Sequence, residues 1–176
     1  MPTDFGTLVQ RDHVDVQKEL TRLLDPAATR AQLSSALDGV RLGLTAHAEA
    51  EDIVLGRFEA VPALGPVLAE ARASHLAQES ALAALVSARP CTAVWRDRAV
   101  HLRELIRRHA LREELELLPA LRFHAPRELY TGLAGAFATE RLRQLAMLQP
   151  SAPLCVADVA HPDAREAGLA GAIAMS

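Results

Sequence analysis

The chain is poor in the residues that build sheets, disulfide frameworks and nucleic-acid surfaces. It has only four Phe, one Tyr and one Trp among 176 residues, and no stretch shows the clear period-two run of β-branched residues that marks a strand. A β-sandwich or barrel is therefore not expected. Only two cysteines occur, Cys91 and Cys155, far apart and outside any Cys-x-x-Cys arrangement. Both read as reduced thiols, with neither a disulfide framework nor a thiolate metal site in prospect. Lysine occurs once, at Lys18, and the formal net charge is -3 with a pI near 6.2. Nucleic acid and acidic membranes, which need clustered basic charge, are excluded as partners on that account. A run of about 18 apolar residues, the length needed to span a bilayer, is missing as well. The start, Pro2-Thr3-Asp4, also lacks the basic-then-apolar pattern of a secretory leader, so a soluble, cytoplasmic protein is expected.

What is there favours helix. Half the residues are hydrophobic, and most of that half is Ala, Leu and Val, a diet suited to helices packed on one another. The length suits one domain. Proline and glycine punctuate the chain into helical blocks, predicted at about 4–24, 29–60, 67–88 and 93–123. A fifth, at about 127–147, carries an apolar stripe of Leu129, Leu133, Phe137 and Leu145. The expected architecture is all-α: an up-down-up-down four-helix bundle with a fifth C-terminal helix. The bundle occupies residues 1–149, and an Ala/Gly/Pro-rich, mobile tail occupies 150–176.

Three histidines carry a glutamate four residues downstream: His47 with Glu51, His75 with Glu79, and His109 with Glu113. Four residues is about one helical turn, so each pair shares a face. With the upstream His13 they supply four imidazoles and three carboxylates. Short connections make consecutive helices antiparallel, so groups equally far from a turn lie at one height. The points midway between successive candidates fall in the Val61–Pro66 turn, beside Arg89–Thr92, and just past Asp25-Pro26, which brings all of them to about one level. Buried imidazoles and carboxylates without partners are costly, and metal ions resolve that cost. Without thiolates the set suits iron, manganese or zinc, and seven donors exceed what one ion accepts.

At this point the chain resembles the haemerythrin-like, or HHE cation-binding, family. The matching signals are Asp12-His13, His47-x-x-x-Glu51 followed by Asp52, His75, and His109-x-x-x-Glu113-Glu114 leading to Leu117-Leu118-Pro119. The resemblance covers about residues 4–123. It implies a non-haem di-iron centre, oxo- and carboxylate-bridged, with zinc or manganese ranking behind iron. In that carry-over Glu51 and Glu113 bridge, while His13, His47, His75 and His109 are terminal ligands. The oxygen carriers of the family place a second histidine where this chain has Glu79, and an aspartate five residues after the helix-four histidine. Here the acid at five is Glu114. Glu113 is favoured, because four residues rotate about 40° from the starting face and five about 140°.

Glu79 as a ligand would add a hard anionic donor, and its absence would open a further coordination position. Either case turns the expectation from oxygen carriage towards reaction with hydrogen peroxide, oxygen or nitric oxide. Peroxide disproportionation is the most concrete activity. A sensor of oxygen, nitric oxide or iron that signals to a protein partner is the alternative. A structural or zinc-binding bundle is a third reading. Asp52, Glu49 and Glu116 are read as solvated helix charges, and His101, His124 and His161 receive no place in the site. Leu44, Leu55 and Leu105 are expected to wall it with apolar surface.

Overall fold

Capping residues and prolines set the helix ends. The computed structural model describes residues 4–148, with no strand among them. The helices are α1 (Phe5–Leu23), α2 (Arg30–Leu55), α3 (Gly65–Val86), α4 (Ala93–Arg112), α5 (Leu118–His124), α6 (Arg127–Thr131) and α7 (Leu133–Met147). Thr29 starts α2 with a reciprocal cap: its hydroxyl accepts from the Gln32 N–H while the Gln32 side chain accepts from the Thr29 N–H at 2.8 Å. Such an arrangement satisfies two of the N–H groups that a helix start leaves without partners. Thr92 caps α4 in the same position, accepting from the Trp95 N–H at 3.1 Å. The tail expected at 150–176, with Cys155 and His161, lies outside the described residues.

Helices α4 and α5 are one rod interrupted by a π-helical turn, Glu113–Leu117. The Leu118 N–H donates to the Glu113 carbonyl, five residues back. Pro119, just beyond, has no N–H to offer the chain and its ring crowds the preceding turn, so a wider turn there costs little. The extra residue lets Glu113, Leu117, Leu118 and Leu121 all face inward.

The paired helices run in opposite directions. Along α1 and α2, His13 meets His47, Val16 meets Gly43 and Glu19 meets Gly39. A Cβ at Gly43 would lie 3.2 Å from Val16, so its absence permits the close approach of α1. Along α3 and α4, His75 meets His109 and Arg98 donates to the Ala84 carbonyl. Helix α7 packs on α2 and α1. The predicted fifth helix is split at Gly132 into α6 and α7. The stripe consequently fails at its first member: Leu133 and Phe137 are buried, but Leu129 is 37% exposed. Tyr130 ties α6 down, its hydroxyl donating to Asp4 at 3.2 Å.

The apolar interior comes in two parts. One contains Leu20, Val40, Leu85, Trp95, Leu102 and Ile106, and the other contains Phe5, Val54, Phe58, Leu64, Leu121 and Phe137. Between them lies a layer of buried polar side chains. Leu102, with no exposed surface, is expected to cost about 2–5 kcal/mol when replaced by Ala. Leu142→Ala on the exposed face of α7 should change stability by about 0.5 kcal/mol or less. Urea unfolding of the two variants measures both.

Candidate metal centre

Each long helix delivers its donors to the layer between the two apolar clusters. Helix α1 brings His13, α2 brings His47 and Glu51, α3 brings His75, α4 brings His109, and the π turn brings Glu113. All six are at most 5% exposed. Ligating atoms of His47, Glu51, His75, His109 and Glu113 lie within 4.8 Å of one another. His13 joins them through Glu113: its Nε2 is 3.0 Å from one carboxylate oxygen, while the other oxygen is 3.0 Å from His109 Nε2. Glu113 therefore stands between two imidazoles with an oxygen towards each. Glu51 lies 3.2 Å from His47 Nε2.

These approaches are short, yet few are hydrogen bonds. Both ring nitrogens of His13 and His47, and both oxygens of Glu51 and Glu113, are buried without an aligned partner. The Nε2 atoms of His75 and His109 face each other at 3.2 Å, where at most one can donate. Lone pairs converging in a dry interior, with no other protein group to take them up, are what a cation needs. The donor set of imidazole and carboxylate fits iron, manganese or zinc.

The protein's own charges show the same shortage. Burial, then the charge of His47, lowers His13 to about 3, and burial with the charge of His75 lowers His109 to about 2. Burial alone would lower His47 too, but Asp12 and Glu51 outweigh it and raise it to about 9. Burial would raise Glu51, yet the facing His47 holds it at about 2. Glu113 goes well up, from burial and then from the negative charge of Glu51. Protons thus stand in for positive charge within the layer, and a metal binding there would displace them.

Behind the inward-turned nitrogens stand further carboxylates. Asp52 lies 2.9 Å from His75 Nδ1, Asp12 lies 3.6 Å from His47 Nδ1, and Glu114 lies 3.6 Å from His13 Nδ1. A carboxylate at the outer nitrogen fixes the ring and raises its basicity as a ligand. Asp12 is itself held by Arg141 of α7, and the Phe137 ring meets His47 edge-on at 5.9 Å.

Of the seven side chains proposed from the sequence, the structure brings six together and leaves Glu79 out. Glu79 is exposed and lines a cleft between α2 and α3. The inward neighbour on α3 is Gln78, three residues after His75 and 1% exposed, because the layer lies on the other side of His75 from Glu79. Asp52 is likewise not a free helix charge but the partner of His75, a cross-helix relation with no signal in local spacing. Glu114 stays exposed beside His13, so the π turn directs Glu113 inward. Glu49, Glu116, His101 and His124 are exposed. Leu44 and Leu55 are buried on opposite sides of the layer, and Leu105 is partly buried.

Among known protein families, the chain matches the Hemerythrin HHE cation binding domain over residues 5–121. No curated protein and no solved structure gives a significant match. The matched segment contains all six of the converging donors and ends before α6 and α7, and on that match the chain belongs to the hemerythrin HHE cation-binding domain family.

Proposed function

We propose that this chain is a non-haem di-iron protein that binds or turns over a small oxidant: hydrogen peroxide, oxygen or nitric oxide. The reading is supported above all by the converging, buried and hydrogen-bond-deficient imidazoles and carboxylates within a hemerythrin HHE domain. In this proposal the bundle follows up-down-up-down order. His13, His47, Glu51, His75, His109 and Glu113 would hold the two ions. When bound, the iron pair supplies redox and Lewis-acid chemistry. The chain contributes the rest. Asp52 fixes the His75 ring with Nε2 inward, Asp12 sets a negative charge behind the His47 ring, and the two apolar clusters keep bulk water from the layer. The proposed setting is the cytoplasm.

A sensor reading has one specific observation in its favour. Helix α7 lies outside the matched segment, yet it touches the site through Phe137 on His47 and Arg141 on Asp12. A change at His47 could pass to α7 and to a protein partner through those contacts.

The test is metal per chain, the optical spectrum, and oxygen release on adding peroxide. About two irons and sustained gas release support the enzyme, two irons without turnover support the sensor, and zinc or no metal overturns the iron reading. His109→Ala should lose about half or more of the bound metal, read by elemental analysis. Asp52→Asn should retain the helical circular dichroism while weakening metal affinity about 10–100-fold in chelator competition. Free metal at 100 times its dissociation constant should stabilise the wild-type protein by about 2.7 kcal/mol in thermal or chemical unfolding.

A further inference from the structure

Gln78 is a buried polar residue that the donor layer does not use. Its side chain is 1% exposed, and neither the amide nitrogen nor the amide oxygen has a hydrogen-bond partner. Leaving both halves of an amide unpaired in the interior is costly and asks for a cause. Gln78 lines a cleft of about 140 Å³ between α2 and α3, and His75 lines the same cleft. One wall is apolar, from Leu44, Ala48 and Leu82, while Glu49, Asp52 and Glu79 are the charged residues along it. No Arg or Lys lines it.

We infer that this cleft is the ligand's path to the His75 side of the centre, and that Gln78 is a positioning residue whose amide, buried behind the cleft wall in this structure, turns into the cleft to hold the incoming molecule. The inference rests on the oxidant-binding reading and narrows it. A primary amide both donates and accepts, so it suits a small molecule that does both. Three carboxylates with no cation disfavour an anion. Hydrogen peroxide meets both conditions, whereas azide or nitrite meets neither fully.

The experiment compares the iron-loaded wild-type protein with Gln78→Leu and with the double variant Glu49→Gln/Glu79→Gln. The readouts are iron per chain, melting temperature of the metal-free protein, rate against peroxide concentration, and azide binding by optical titration. Gln78→Leu should keep its iron and melt at the same or a higher temperature without metal, because it removes an unpaired buried amide. Its rate at low peroxide should fall about tenfold or more, from loss of hydrogen bonds to the bound ligand. The double variant should keep its iron and bind azide more tightly than the wild type. A Gln78→Leu protein that reacts at the wild-type rate, loses iron, or melts several degrees lower overturns the assignment alone. Azide binding unchanged in the double variant overturns the charge selection. A wild-type protein that holds iron but leaves peroxide untouched overturns the peroxide reading and this assignment together.

Discussion

Six imidazole- and carboxylate-bearing side chains buried in one layer cannot be left to each other's company. In a low-dielectric interior an unpaired ion is worth several kcal/mol of destabilisation, and the layer has more acceptors than donors to satisfy them. The histidines answer in opposite directions, His47 held protonated against Asp12 and Glu51 while His13 and His109 are driven neutral. Burial, and then the negative charge of Glu51, push Glu113 well above the usual carboxylate range. The two apolar clusters on either side carry the packing that lets the bundle tolerate such a layer. They also determine its dryness, which strengthens any electrostatic interaction formed inside it.

Orientation is supplied from outside the layer. Three imidazoles have a carboxylate near the outer nitrogen, each from a different part of the chain: Asp52 on α2 for His75 on α3, Asp12 on α1 for His47 on α2, and Glu114 in the π turn for His13 on α1. The π turn belongs to the same logic. It begins at Glu113, and widening the helix there sets the carboxylate between His13 and His109 while the next turn returns to ordinary packing.

Much of this was legible in the sequence because it follows from helical period and hairpin symmetry. The pairs His47/Glu51 and His109/Glu113 share a face by spacing alone, and the turns place them level with His13 and His75. Glu79 shows where that reasoning stops. Residues three and four beyond His75 both lie about one turn away, on opposite sides of it, and the chemistry of an acid drew the reading to Glu79 when the fold turns Gln78 inward. Relations across helices carry no local period: Asp52 with His75, or Asp12 with Arg141 at a separation of 129 residues. The break at Gly132 is of another kind. An apolar stripe on the sequence cannot report that the helix restarts between Leu129 and Leu133 with a different facing.

Helix α7 has a consequence for what counts as the working piece of this chain. The family segment ends at residue 121, yet His47 has the Phe137 ring beside it and its Asp12 partner is neutralised by Arg141. A chain cut at the family boundary would keep every candidate ligand and lose the wall and the counter-charge behind one of them. The stretch that carries the ancestry and the stretch that keeps the donors enclosed are different lengths of the same polypeptide.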